Sequence, residues 1–395
     1  MGVFDVESSK YTKLKKAFSV EGGKYVKLKK AFVVEGGKYL KLWSGSVGYF
    51  FTKSGNVCTS SNPPTEAFVD NVFASSSPMM PICSYCVDGK FYVFAGAGSG
   101  QITHLYYSTN LTTWTCSELT TLSTITESGS GSHKCWVIKY LNGRFVAFSH
   151  YTASSKLRLR CYESTDGINW TYKSELGNTS TTNSTGNAIQ EKNVHYGIIN
   201  GSYKYCVHFS LGSTYRYTKY SSDLVTWTDM GYSDKFSAYA TCCAEDGTLY
   251  ALHRNYGGTN YMMVRNLTAN TLASDNTINL SSSSSHYFDI VSYDKDYIMC
   301  IRTESISSSY GPPTIKNSVL KLRKPESSLS DVTLIASGSS SLEVSSSTTG
   351  KHQLTYYDGV YYFMASGNWY YSRDGATWTA VTGGGITPIR KDEKE

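Results

Sequence analysis

No apolar run in this sequence is long enough to cross a bilayer, and no apolar core of the kind a secretory leader carries follows Met1. The first absence excludes a membrane-spanning helix, so no membrane insertion is expected. The second argues against signal-peptide secretion. Paired metal-ligand spacings are missing as well. Ten cysteines stand at 58, 83, 86, 116, 135, 161, 206, 242, 243 and 300, mostly within predicted strands. The one Cys-x-x-Cys, Cys83 to Cys86, lacks the two further ligands a zinc site needs, so no metal and no cofactor is expected and the thiols read as buried and free. That fits assembly in a reducing cytoplasm. There is no phosphate loop, no His-Glu-x-x-His and no nucleophile elbow, which removes those chemistries. Charge is scarce where a nucleic-acid binder would need it. Residues 1–42 hold ten lysines and four acids, which accounts for the whole net charge of +6 and leaves the remaining 353 residues neutral. A neutral body argues against nucleic acid as a partner.

What is abundant is tyrosine, 33 against 15 phenylalanines, set among serine, threonine, asparagine and glycine. Such a composition suits rigid, polar recognition surfaces. A repeat organises it. Asp88-Gly89, Asn142-Gly143, Asn200-Gly201, Asp246-Gly247 and Asp358-Gly359, with Asp294-Lys295 as a degenerate copy, recur at steps of 54, 58, 46, 48 and 64 residues. Each pair supplies the two positive-φ residues of a tight hairpin and is followed by a strand-like run such as Phe91 to Phe94 or Tyr361 to Met364.

About two dozen residues after each turn comes a second mark. It reads Ser108-Thr-Asn110-Leu-Thr-Thr-Trp114, Ser164-Thr-Asp166-Gly-Ile-Asn-Trp170, Ser221-Ser-Asp223-Leu-Val-Thr-Trp227 and Ser372-Arg-Asp374-Gly-Ala-Thr-Trp378. A short polar residue bonds to its own loop and a tryptophan seals the turn against the next layer, so these twelve serine, aspartate or asparagine, and tryptophan positions are read as structural. Two further units, at residues 266–280 and 322–335, have lost the mark. Four short strands per unit, repeated radially, describe a propeller blade. The expected fold is all-β: a six-bladed β-propeller, or seven-bladed if residues 44–75 add an incomplete blade. The six blades are expected at 79–119, 133–176, 188–232, 236–280, 286–335 and 352–381.

The second mark resembles the Asp-box, or BNR, repeat of sialidase-like propellers, over about eight residues in four of six units. Each copy is one residue shorter between Asp and Trp than that family's pattern. The resemblance implies that the loop joins the third and fourth strands of a blade. It carries the fold rather than the activity, because the family's Arg-Ile-Pro element is missing and Pro388-Ile-Arg390 has the wrong order and place.

Residues 1–43 form a separate arm with a 14-residue repeat, in which Lys10-Tyr11, Lys24-Tyr25 and Lys38-Tyr39 are in register. Each Glu-Gly-Gly-Lys is expected to turn a hairpin, with Glu35 opposite Lys38. Such short hairpins bury little by themselves and are expected to dock elsewhere. Leaders of this Lys-Tyr-x-Lys-Leu-Lys-Lys-Ala-Phe type resemble the starts of tail-associated proteins of phages and prophages. That resemblance implies an arm bound to a tail or baseplate protein, a virion location after assembly in the host cytoplasm, and a propeller, over residues 44–382, pointing outward. Homo-oligomerisation is compatible with it. Residues 383–395 read as a polar, frayed tail.

Serine- and threonine-rich stretches at 120–132, 179–185, 281–285 and 337–349 read as connections between blades. In a propeller they share a face with the loops between strands two and three, opposite the Asp-Gly turns, and binding groups concentrate on such loops. Five positions beyond the first apolar residue of each second strand stand Gly96, His150, His208, Arg254, Arg302 and Ser366. His133, His195, His286 and His352 are expected near the starts of first strands, on the same face. A rim of His150, His208, Arg254 and Arg302 suits an anionic group, and Tyr151, Tyr256, Tyr310 and Trp369 suit stacking on sugar rings. The expected function is a receptor-binding protein of a phage tail or tail-like particle that recognises a bacterial surface glycan through this face. A glycan hydrolase is the alternative, although acids on these loops reduce to Glu127, Glu191 and Glu304, and none is assigned as catalytic. A structural spacer that touches only virion proteins is the third reading.

Overall fold

The computed structural model describes residues 80–96, 101–110, 113–123, 134–153, 156–178, 189–211, 215–230, 236–244, 246–255 and 261–267, together with the strands named below that lie outside these ranges. In the arm, β1 (Phe18–Glu21) pairs with β2 (Lys24–Lys27), and β3 (Lys30–Glu35) pairs with β4 (Lys38–Ser44), both antiparallel. Glu21 stands opposite Lys24 and Glu35 opposite Lys38. Then come β5 (Gly48–Thr52) and β6 (Val57–Ser60).

Six four-stranded antiparallel sheets follow in sequence order. Sheet one is β7 (Met80–Val87), β8 (Lys90–Gly96), β9 (His104–Ser108) and β10 (Thr115–Glu118), followed by the one-turn helix α1 (Thr120–Ser123). Sheet two is β11 (Lys134–Leu141), β12 (Arg144–Ala153), β13 (Lys156–Ser164) and β14 (Thr171–Asn178). Sheet three is β15 (Ile189–Ile199), β16 (Ser202–Leu211), β17 (Tyr215–Ser221) and β18 (Thr228–Asp229). Sheet four is β19 (Phe236–Cys243), β20 (Leu249–Asn255), β21 (Tyr261–Asn266) and β22 (Thr277–Asn279). Sheet five is β23 (His286–Tyr293), β24 (Tyr297–Ile306), β25 (Thr314–Arg323) and β26 (Leu334–Ser345). Sheet six is β27 (Gln353–Tyr357), β28 (Val360–Ala365), β29 (Asn368–Ser372) and β30 (Thr379–Ala380). Finally β31 (Ile386–Pro388) pairs with β5, which pairs with β6, so one three-stranded sheet draws on both ends of the chain.

First strands pack on one another in succession, β7 on β11, β11 on β15, β15 on β19, β19 on β23 and β23 on β27, while β31 packs on β7. First strands therefore line the inside and fourth strands the outside, the arrangement of a β-propeller. Sheet one has β11 on one side and β31 on the other, which fits the burial of β8 almost throughout rather than on alternate residues. The core lies in layers between sheets. Tyr92, Phe94 and Leu105 meet Phe145, Ala147 and Tyr162 between sheets one and two. Val146, Phe148 and Cys161 meet Tyr205, Val207 and Phe209 between sheets two and three. Along each second strand, alternate residues thus serve the preceding and the following layer. Six of the eight described cysteines are buried; burial pushes the Cys135 and Cys206 thiols up to about 12, so they behave as small neutral core groups.

The hairpin turns at 88–89, 142–143 and 200–201 have positive φ at both residues, from 47° to 76°. The Asp246-Gly247 connection differs. It spans the gap from Cys243 to Leu249, and among its described residues only Gly247 has positive φ, with the Ala244 amide bonded to the Thr248 carbonyl and the Gly247 amide to the Ala244 carbonyl. Asp294-Lys295 and Asp358-Gly359 lie outside the described residues. Two expectations about loops need correction. The serine-rich stretch from 337 is not a connection as far as Ser345, since Leu334–Ser345 is strand β26, paired with β25 through Leu342, Val344 and their neighbours. Likewise the tail from 383 contains β31, whose Ile386 and Thr387 stand opposite Thr52 and Phe51.

Candidate functional site

The Ser-x-Asp turns join third and fourth strands and form closed hydrogen-bond systems. In sheet two the Ser164 hydroxyl donates to Asp166 Oδ1 at 2.9 Å and accepts the Gly167 amide at 2.8 Å. Asp166 Oδ1 accepts the amides of Ile168 and Asn169, both at 2.8 Å, and Oδ2 accepts Asn169 Nδ2 at 2.7 Å. Burial works against the charge on Asp166, but these amides and side chains prevail and bring its pKa down to about 2. Sheet three repeats the scheme with Ser221 and Asp223, and sheet one with Ser108 and Asn110, whose Oδ1 accepts the Thr113 amide at 2.9 Å. The tryptophans pack backwards. Trp170 meets Phe94 of sheet one edge-on at 6.4 Å, and Trp227 meets Phe148 of sheet two at 6.3 Å, each phenylalanine being the fifth residue of its second strand. Half-buried Trp114 belongs to the first copy. Ser372 is buried, and Asp374 and Trp378 lie outside the described residues.

The inner strands are stitched to one another by polar side chains that no sequence pattern announced. Tyr85 Oη donates to the Ile138 carbonyl at 2.8 Å, joining sheets one and two. Lys139, only 3% exposed, donates through Nζ to the Val194 carbonyl at 2.7 Å, joining sheets two and three. Asn193 Oδ1 accepts the Thr241 amide at 3.2 Å, and His195 Nε2 meets Thr241 Oγ1 at 2.9 Å, joining sheets three and four. His195 was expected near a strand start. It lies seven residues into β15 and is buried, because the strand begins at Ile189 and absorbs the extra residues in a bulge before Val194.

Such bulges recur. The first strands of sheets one to five each carry one, between Pro81 and Cys83, Cys135 and Val137, Ile189 and Val194, Ala238 and Ala240, and Phe288 and Val291. All stand at one level, opposite the third to sixth residues past the start of the second strand's apolar run, toward the C-terminal ends of the second strands. Bulges re-aim side chains and favour rims and binding sites.

The rim positions fall beside these bulges. Gly96 is in a place no side chain can share, since the Gln101 carbonyl occupies the position of a Cβ. His150 is half-buried against the bulged Trp136. The rings lie 5.5 Å apart, and the indole Nε1 donates to His150 Nε2 at 3.0 Å, which makes that nitrogen the acceptor. His208 is 4% exposed and its Nδ1 meets Thr218 Oγ1 at 2.9 Å. Both histidines occupy the face of their strand that packs toward the following sheet, and β12 and β16 run on three residues past them. The strands thus rise above the level where the rim was expected, and His208 is enclosed rather than offered to solvent. Arg254 and Arg302 hold the same register in β20 and β24, opposite Ser237 and Phe288. Tyr151 lies in β12 and Trp369 in β29; Tyr256 and Tyr310 lie outside the described residues. Glu191 falls within the bulge of β15 and Glu304 in β24, while Glu127 lies outside the described residues. Among the described residues no group of three or more His, Cys, Asp or Glu converges as a metal site, and no helix is long and apolar enough to cross a membrane.

No protein-family model matches the chain, and no curated protein matches it. Solved structures do. An ancestral GH74 enzyme is similar at 11% identity over 87% of this chain and 44% of its own length, with a TM-score of 0.49, so this chain spans less than half of that enzyme. The exo-beta-1,3-galactanase of Phanerochaete chrysosporium, solved with beta-1,3-galactotriose, is similar at 10% identity over 73% of this chain and 71% of its own, with a TM-score of 0.35. The GH32 beta-fructofuranosidase of Bombyx mori is similar at 12% identity over 82% and 76%, with a TM-score of 0.30. At these scores nothing about ligand or chemistry passes from these enzymes to this chain.

Proposed function

We propose that the chain is a noncatalytic receptor-binding protein that recognises a cell-surface glycan through the loop-rich face of its propeller, carried on a phage tail or tail-like particle by residues 1–43. The reading is supported by the row of bulges at one level in five successive inner strands, two of which lie beside the backbone positions of Arg254 and Arg302. Arginines give fork-shaped recognition of anionic sugar groups, and Tyr151, Tyr256, Tyr310 and Trp369 add stacking surface. His150 and His208 support the rim from within the sheets. The three-stranded sheet of β31, β5 and β6 serves as a seventh blade that closes the ring between sheets six and one. The Ser-x-Asp turns then belong to the Asp-box class, spent on the fold.

The test is glycan-array and whole-cell binding with the full chain. The double variant Arg254→Ala, Arg302→Ala is expected to abolish binding at an unchanged melting temperature. Equal binding by the variant would end the rim reading, and release of reducing sugar from bound cell-wall material would replace the binder with a hydrolase.

A further inference from the structure

On the opposite face, where the Asn-Gly turns lie, sheets two and three bring together a second constellation, joined where Asn142 Nδ2 donates to Tyr205 Oη. Its sheet-two wall is a strip of charge across three strands. Arg144, the first residue after the Asn142-Gly143 turn, donates through NH1 to Glu163 Oε2 at 2.8 Å, and Lys173 Nζ donates to Glu163 Oε1 at 2.9 Å. Two cations share one carboxylate, so the strip keeps a net positive charge and spare donors. The Arg144 side chain is 42% exposed, and its buried Nε meets no hydrogen-bond acceptor. Burial tends to raise the Glu163 pKa, but its bonds to Lys173 and Arg144 prevail and hold it below the ordinary value.

The sheet-three wall is aromatic. Tyr196 and Tyr203 stack at 5.5 Å with 24° between their planes, and Tyr205 lies behind them, its Oη accepting Asn142 Nδ2 at 3.4 Å. Tyr203 is 37% exposed, one of three large hydrophobic side chains so exposed among the described residues. It is also fixed in place. A Cβ on Gly247 would come within 2.8 Å of its hydroxyl, and a Cβ on Gly197 within 2.8 Å of the Gly247 carbonyl, so two glycines let the neighbouring turn close up beneath the ring. A rigid, exposed aromatic face costs little entropy to use.

We propose that this constellation is a saccharide subsite, separate from the loop-rich face, in which a hexopyranose stacks its C–H face on Tyr203 and directs adjacent hydroxyls at Arg144 and Glu163. An aromatic platform beside charged donors and an acceptor matches a sugar, which is apolar on its ring face and carries paired hydroxyls at its edge. The two cations exclude the other common guest of clustered tyrosines, a quaternary ammonium.

Saturation-transfer NMR on the full chain with the methyl glycosides of glucose, galactose and N-acetylglucosamine, and with choline chloride, tests this. Transfer to at least one glycoside and none to choline is expected. Tyr203→Ala should weaken it about tenfold, Tyr203→Phe should retain it, and Arg144→Gln should weaken it, all with folded spectra. Arg254→Ala with Arg302→Ala should leave it intact, which separates this subsite from the rim. Absence of transfer from the unaltered protein, transfer to choline instead, or equal transfer from folded Tyr203→Ala would overturn the proposal.

Discussion

The turns of sheets two and three, 164–170 and 221–227, use the same bonds on different foundations. After the aspartate, Gly167 has φ 75° and Leu224 has φ 64°, so the turn demands a left-handed residue in both places. Glycine adopts it freely, whereas leucine pays about 1–2 kcal/mol. Leu224 is nevertheless fully buried in the layer between sheets two and three, a gain of about 1.5–3 kcal/mol that offsets the strain. The tryptophans differ in turn. Trp170 is buried and donates to the Gly167 carbonyl at 3.0 Å, while half-buried Trp227 donates to Ser174 Oγ of sheet two at 2.9 Å and to the Leu224 carbonyl at 3.2 Å. Both tryptophans thus bond within their own turn, and Trp227 adds a hydrogen bond to the neighbouring sheet. The same local motif can be built on backbone freedom or on interlayer packing.

Substitutions can break this contrast in graded ways. Leu224→Ala should destabilise most, by about 3 kcal/mol in denaturant unfolding, because it leaves a cavity and keeps the strained φ. Asp166→Ala strands two amides in a half-buried turn and should cost about 2 kcal/mol, with Asp223→Ala, in a more exposed copy, costing less; equal losses would erase the contrast. Gly167→Ala should cost about 1–2 kcal/mol, from the positive φ and from a Cβ only 3.3 Å from Leu105 Cδ2. Trp227→Phe should lose about 1 kcal/mol, and combining it with Ser174→Ala should add little, since one shared system is removed.

The smallest effect is in pH. A carboxyl whose folded pKa lies near 2 and whose unfolded value lies near 4 contributes stability that is complete above about pH 4 and disappears as pH falls toward 2. Acid unfolding curves of Asp166→Asn should therefore be flatter over that window than those of the unaltered protein.

Much of this architecture was legible in the chain. Asn142-Gly143 and Asn200-Gly201 announce two-residue hairpins because their backbone demand is local, and Ser164 to Trp170 announces its turn because each partner lies within six residues. What depended on distant partners was not legible. Lys139 reads as a solvated lysine until the Val194 carbonyl, 55 residues away, is placed beside it. The bulge of β15 shifts register without a local signal, which is why His195 was expected nearer to solvent than it is, while His208 is enclosed because β16 runs on three residues past it. Ile386 to Pro388 looked like tail because its partner strand, Gly48–Thr52, sits at the far end of the sequence.

That last pairing bears on how the molecule is born. A ribosome releases Gly48–Thr52 long before Ile386 to Pro388 emerge, so β5 waits for its β31 partner until all six four-stranded sheets have been synthesised. That pairing is a late event across the greatest sequence separation among the described strand pairs, where loop-closure entropy is highest and where a chaperone, or the same strand of another unfinished copy, has its longest opportunity to bind.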